Sequence, residues 1–308
     1  YKLRETEQDT IYLAASAYYD FIYKTKSTEF NLENVSLFER QVETDSARLQ
    51  KGEITLTDLA QSESSLAGAR ANFISAKTEL LTSKTDFERI IGVKAPEKIN
   101  ENFVVKVNLP KSLKQALEIS QKNNPKLLAA KLEYEISKKN VDIEKARLSP
   151  SASINFSKSK NDDFSSSVNK TDQESVKATI TWPIIRGGKN YSSIKKSKFK
   201  RQQSNFILID AINETKTETT NAWSIYQSAT SVLKATKAQV TAAEIANEGI
   251  SLEYDSSNTR TTFELIQSRT LLLSAKIANA KSQKDFILSK FKLLAILGNL
   301  KLDNISKS

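Results

Sequence analysis

Apolar residues return every seven positions along two stretches of this chain. Leu59, Leu66, Phe73, Leu80 and Phe87 form one row, and Ile266, Leu273, Ala280, Ile287 and Leu294 form the other. A sustained seven-residue apolar period predicts helices wound into a left-handed coiled coil. The two stretches are copies of each other. "RLQKGEITLTDL" onward (48–92) parallels "YDSSNTRTTFEL" onward (254–298), with Gly52 opposite Asn258, Asp58 opposite Glu264 and Gly92 opposite Gly298 at one offset of 206 residues. Upstream, Ala17-Tyr18 answers Ala222-Trp223 at an offset one residue shorter, so the second copy carries a one-residue insertion before its turn. In each copy a small or turn-prone residue separates two helical runs. An acid then stands in the first turn of the second run, where it suits the positive end of the helix dipole. Each copy is therefore expected to be a long helical hairpin.

The pattern predicts helices at about 1–50, 54–91, 112–147, 188–254 and 260–297. The fourth would be a rod roughly 100 Å long at 1.5 Å per residue, which no compact globule needs. Segment 93–111, with Pro96 and Pro110, reads as a linker, and "NNPK" (123–126) as a break or a helix start.

Between the two halves the period changes to two. Ala152, Ile154 and Phe156 alternate with Ser151, Ser153, Asn155 and Ser157, while Val176, Ala178, Ile180 and Trp182 alternate with Lys177, Thr179 and Thr181. Joined by a polar loop at 161–175, these runs predict a hairpin with one apolar face. Two strands alone are not stable in water, so the hairpin must complete its sheet with other chains. An apolar strand face ending in Trp182 suits a bilayer with an aromatic girdle, which makes these seven apolar residues candidate lipid-facing positions. Pro150 and Pro183 stop the ladder at a common end, since proline cannot donate to it. Gly187 and Gly188 permit the sharp turn into the next helix.

Composition narrows the function. Seven Gly and five Pro in 308 residues fit a mostly helical chain, and the absence of Cys removes disulfide and thiolate chemistry. The absence of His removes the usual general base and the commonest metal ligand. No cofactor is implied, and the chain does not read as an enzyme. No apolar run is long enough for a transmembrane helix, which leaves a membrane β-barrel open. The chain opens at Tyr1 and contains no Met, so it is expected to be a processed or trimmed piece, with any signal peptide outside it.

The net charge is +10. Its densest cluster is Arg186, Lys189, Lys195, Lys196, Lys198, Lys200 and Arg201, which has no acid among it and lies at an expected helix start, where the dipole disfavours cations. Anionic headgroups and a tunnel lining are both open readings of that cluster. Nucleic acid is not a reading of it, because no stacking aromatics are interleaved and no recognised module appears.

The order and spacing of these motifs resemble the TolC family of outer-membrane efflux and secretion channels. "NPKLLAAKLEYEISKKNVDIEKARLSPSASINFS" (124–157) is similar to that family's helix running into a Leu-x-Pro strand start. "TWPIIRGGK" (181–189) is similar to its Pro-Ile-x-x-Gly-Gly strand exit, and "RLQKGEITLTDL" (48–59) to its turn. The resemblance covers nearly the whole chain.

It implies a mainly α fold with a small β part. Long antiparallel coiled-coil helical hairpins would join a membrane β-hairpin in a trimeric α-barrel and β-barrel, with the strands of the first half missing from this chain. The divisions implied are a partial first repeat at 1–92, a linker or equatorial segment at 93–111, a helix of the second repeat at 112–148, a membrane hairpin at 149–184, a second-repeat hairpin at 185–298 and a tail at 299–308. The implied function is a passive, non-enzymatic homotrimeric exit duct in the outer membrane of a Gram-negative bacterium. Its helical tunnel would stand in the periplasm, in contact with outer-membrane lipid. It would serve a tripartite efflux pump or a type I secretion system, joined by a periplasmic adaptor (membrane fusion) protein to an inner-membrane transporter.

Residues carry over by position. Glu264 matches an acid that narrows the pore, and Gln267 a place for a second one. Arg260 and Asp58 match residues that hold the closed state, and Lys51, Gly52, Glu53 and Asn258 fall at the turns, where the tip of the first meets the adaptor. The tyrosine expected three residues before the turn glycine is Leu49 in one copy and Asp255 in the other, with Tyr254 one place early, and Asn258 stands where glycine is usual. The competing reading is a soluble coiled-coil scaffold, which accounts for the heptads and gives the alternating hairpin no purpose.

Overall fold

The computed structural model describes residues 1–96, 109–257 and 260–301. Its elements in chain order are α1 (Lys2–Gln50), α2 (Leu56–Ile91), α3 (Leu113–Asn123), α4 (Pro125–Ala146), β1 (Ser151–Ser165), β2 (Val168–Thr181), α5 (Lys189–Ser257) and α6 (Thr262–Ile296). Most of the linker and tail divisions, residues 97–108 and 302–308, lie outside the described residues. No helix among the described residues is long and apolar enough to cross a membrane. The chain divides into two units, one of Tyr1–Pro125 with Glu214–Ser308 and one of Lys126–Asn213.

In the first unit α1 packs against both α2 and α6. The seven-residue period holds, but of the expected rows only Phe87, Ala280 and Leu294 are buried, and over most of their length the buried row is one of small residues. Leu59, Leu66, Phe73 and Leu80 are only half-buried, while Ser62, Ala69, Ala76 and Ser83 are buried, and so are Ser268, Ala275, Ser282 and Ser289 at the same offset. Small side chains let the helix backbones approach closely, with the larger residues flanking the seam. The closeness is visible where the Thr28 hydroxyl donates to the Ala76 carbonyl of the facing helix at 3.1 Å.

Large apolar residues gather instead at the end of α6. Ile11 and Tyr19 of α1 pack with Phe291, Leu294 and Leu300, while Ala116 of α3 and Ala222 and Trp223 of α5 pack with Leu293 and Leu297. Burying a leucine stabilises by roughly 1.5–3 kcal/mol. Four of them lie within 2% of full burial here, so this end carries much of the unit's apolar stabilisation.

The helix expected over 112–147 is two helices. Pro125 disfavours helical backbone at the residue before it, and Asn124 accordingly leaves α3 at φ −59°, ψ 120°. The Asn124 side-chain amide donates to the Ile296 carbonyl at 2.9 Å, and the Arg4 guanidinium donates to the Gly298 carbonyl, so both satisfy carbonyls at the end of α6.

In the second unit the strands are longer than the sequence pattern suggests. β1 and β2 pair antiparallel from Ser151↔Thr181 outward, and the expected polar loop at 161–175 is mostly strand, with only residues 166–167 between the two elements. Polar cross-strand pairs extend the ladder. Ser157 and Ser175 are hydrogen-bonded at 2.8 Å, and Lys158 meets Glu174 at 2.5 Å.

Candidate functional site

The turn of each helical hairpin is built from its caps. α1 closes through Lys51 into Gly52 at φ +75°, with the Gly52 N–H donating to the Leu49 carbonyl and the Glu53 N–H to the Arg48 carbonyl, both at 2.9 Å. A Cβ at Gly52 would meet nothing, so glycine serves the left-handed backbone rather than a close approach. Lys51, Gly52 and Glu53 are exposed, and Glu53 lies 3.3 Å from Arg48. Asn258 lies outside the described residues.

α2 and α6 then begin with the same capping box. The Thr55 hydroxyl accepts from the Asp58 N–H at 3.3 Å, and Asp58 Oδ2 accepts from the Thr55 N–H at 2.9 Å and its hydroxyl at 2.7 Å. Thr261 and Glu264 repeat this at 3.2, 2.8 and 3.1 Å. Each box satisfies N–H groups that a helix start leaves unpaired. It also holds both carboxyls below the usual range, through the Thr55 hydroxyl first for Asp58, and through the Thr261 N–H and then Arg260 for Glu264. Arg260 spans the second turn, donating from Nε to Glu253 at 2.6 Å and from Nη1 to Glu264 at 3.0 Å. These bonds, Glu253 first, raise its pKa. Gln267 is exposed on α6 three residues beyond Glu264.

The fold thus brings Arg260 and Glu264 together, but it joins neither to Asp58 by an ion pair among the described residues. What joins the two copies is a cluster the sequence reading missed. Asp45 of α1 is fully buried. Its Oδ1 accepts from Gln41 at 2.8 Å and from the Tyr254 hydroxyl of α5 at 2.6 Å, and its Oδ2 from Ser62 of α2 at 2.5 Å. The Tyr254 hydroxyl also lies 3.2 Å from Thr262 of α6, and the Arg48 guanidinium sits 4.7 Å from the Tyr254 ring centre. Three helices meet at one buried carboxyl, each of whose oxygens has a donor, and α6 joins them through Tyr254.

Burial, and then the bond to Asp45, raise the Tyr254 pKa. Tyr254, one place early, is the buried residue, and Asp255, at the expected tyrosine place, is exposed. The available signal was polar Asp45 and Ser62 on core faces, together with that early tyrosine.

In the second unit the strand register puts Ala152 opposite Ile180, Ile154 opposite Ala178 and Phe156 opposite Val176, so these six share one face. That face is uncovered, with Ile154 76% and Ile180 79% exposed. Trp182 lies one residue past β2 and is also exposed. Pro150 and Pro183 flank the same end of the hairpin, and Gly187 and Gly188, at φ +54° and +77°, lead into α5.

The chain matches the family described as outer membrane efflux protein over residues 116–299, more than half its length. It is 26% identical over 305 residues to the outer membrane efflux protein BepC of Brucella suis, covering 98% of this chain and 66% of that one. It is 23% identical over 317 residues to the outer membrane protein TolC of Escherichia coli, covering 96% and 63%. The chain therefore spans less than two thirds of the length of these curated relatives. The open-state structure of the Neisseria gonorrhoeae MtrE outer membrane channel superposes with a TM-score of 0.79 at 18% identity, over 97% of this chain and 68% of that one. Duplicated hairpins, a lone strand pair between them and a matched region that contains that pair agree: the chain belongs to the outer membrane efflux protein family and is placed with it in the outer membrane.

Proposed function

We propose that this chain forms part of a passive exit duct, assembled as a homotrimer, in which β1 and β2 join strands of other copies in one barrel and the helical hairpins line a periplasmic tunnel. The observation that carries this reading is the two-stranded sheet. Its apolar face is exposed and its outer edges have no partner among the described residues. In hydrocarbon such edges are tolerated only when a barrel closes on them. Ala152, Ile154, Phe156, Val176, Ala178, Ile180 and Trp182 face lipid on this reading, and Pro150, Pro183, Gly187 and Gly188 form the junction with the helices.

The aperture lies at the hairpin turns. Three copies of Glu264, with Gln267 beside them, ring the axis, favouring cations over anions. Arg260 holds Glu264 in its closed placement, and Asp58, the cap acid of the first turn, belongs to the network that holds the closed state. Lys51, Gly52, Glu53 and Asn258 meet a periplasmic adaptor, which links the duct to an inner-membrane transporter. The name of the Brucella relative supports efflux as the process served.

Single-channel conductance of the full-length protein in a planar bilayer tests this. A small cation-preferring conductance is expected, increasing in Arg260→Ser and losing selectivity in Glu264→Ala. Conductance indifferent to both changes removes the gate assignment, and a product that gives no current and needs no detergent returns the chain to a soluble scaffold.

A further inference from the structure

Between α1 and α6, with Asn247 of α5 at its side, lies a cavity of about 200 Å³. Its polar lining is Glu33, Asn34, Asn247, Arg269 and Lys276, set among leucine and phenylalanine side chains. The hydrogen bonds around it leave an excess of donors. A guanidinium has five N–H groups. Arg269 uses one of them, from Nη1 to the Leu37 carbonyl at 3.3 Å, and no carboxylate lies within ion-pair distance of it among the described residues. Asp255 and, less strongly, Asp45 attract it from a distance, and the oxygens of Asp45 already serve Gln41, Tyr254 and Ser62.

Asn34 is only 7% exposed, and its side-chain amide has no hydrogen-bond partner among the described residues. Asn247 accepts from Ser268 through Oδ1 at 3.3 Å, which leaves its NH₂ group for the cavity. The one acid, Glu33, stands 3.8 Å from Lys276. Burial also pushes the Arg269 pKa down, the mark of a cation removed from water without full compensation.

We propose that this cavity binds a small organic monocarboxylate, its carboxylate gripped at two points by Arg269 and bonded by the Asn34 and Asn247 amides, its hydrocarbon body against the leucine walls. The arginine fork matches a carboxylate in just this bidentate way. A cavity of about 150 Å³ accepts a benzene ring, so this one has room for an aromatic acid the size of benzoate. Phosphate fits less well, because it has no hydrocarbon body to lie against the leucine and phenylalanine walls. The ligand would touch α1 of the first copy and α5 and α6 of the second, tying the copies together beside the Asp45 cluster.

The test is a ¹⁹F NMR titration of 4-fluorobenzoate against the full-length protein in detergent, with 4-fluorobenzyl alcohol as the neutral control and inorganic phosphate as competitor. Saturable binding of the acid is expected, weaker by about tenfold or more in Arg269→Gln and in Asn34→Leu. It should be lost in Leu273→Trp, which fills the cavity and keeps the arginine. The acid should also raise the melting temperature of the wild type and not of Leu273→Trp. Equal binding to wild type and all three variants, binding of the alcohol as tight as that of the acid, displacement by phosphate at equal concentration, or no binding at all would each overturn the proposal. The readout needs neither a bilayer nor a current, so its failure is distinct from failure of the channel reading.

Discussion

In the first hairpin the acid that caps the returning helix is an aspartate, and its hydrogen bonds all go to Thr55. In the second it is a glutamate, whose extra methylene lets Oε2 fill the same place while Oε1 reaches Arg260. At the offset of the repeat, the position of Arg260 is Ile54 in the first copy, half-buried and uncharged. The cap is therefore the element both copies need in order to fold, and the arginine bridge is an addition to one of them. The far ends of the hairpins differ as well. Gly92 and Gly298 both take left-handed backbone, at φ +80° and +71°, but a Cβ on Gly92 meets open space while one on Gly298 runs into the Asn123 carbonyl group, whose carbon would be 2.7 Å away. The second copy is the one bridged across its own turn at one end and packed against α3 at the other.

The largest test of this contrast is the glycine pair. Gly298→Ala combines left-handed strain with a backbone collision and is expected to cost about 3 kcal/mol, against about 1 kcal/mol for Gly92→Ala, which carries the strain alone. Denaturant midpoints on the full-length protein measure both, and equal losses would show that the packing of Asn123 on Gly298 does not matter.

Next is the tie between copies. Tyr254→Phe leaves Asp45 Oδ1 with Gln41 alone and is expected to cost about 2 kcal/mol, and Ser62→Ala about 1 kcal/mol. Because both act on one carboxyl, the double variant should depart from the sum of the two. Strict additivity would mean that the four-helix cluster is not a unit.

The smallest effect is in acid. Asp58 and Glu264 both have folded pKa values below their ordinary values of 3.8 and 4.5. Their contributions are fully present above those ordinary values and are lost as pH falls through the lowered ones. Melting temperatures from pH 7 to pH 3 should therefore fall less steeply in Glu264→Gln and in Asp58→Asn, with the larger change for Glu264 because Arg260 acts on it as well. Equal slopes would show that Arg260 adds nothing.

The repeat offset was enough to place both turns, both capping acids and the helix ends to within a few residues. It was not enough to choose the seam. Hydrophobicity ranks Leu66 and Phe73 above Ser62 and Ala69, whereas close helix packing selects for small volume, which the seven-residue period alone does not reveal. The strands ran past their expected ends because polar residues such as Glu174, which read as loop, find partners across the ladder, here Lys158. The Asp45 cluster was hidden for a different reason. Its members are separated by as many as 209 residues, and only the packing of α1 and α2 with α5 and α6 brings them together. The lining of the Arg269 cavity is assembled the same way.

Rows of alanine and serine have little relief. Two helices meeting along such rows resist being pulled apart, because their backbones are close, yet meet few interlocking side chains when displaced along their common axis. Lengthwise position in these hairpins is then indexed by isolated polar contacts: Thr28 on the Ala76 carbonyl, Lys24 with Glu79 and Arg70 with Glu39, Thr236 against Ser282 at 2.7 Å, and Ser62 on Asp45. A helix pair made this way is held closely across its axis and indexed along it by a few polar contacts.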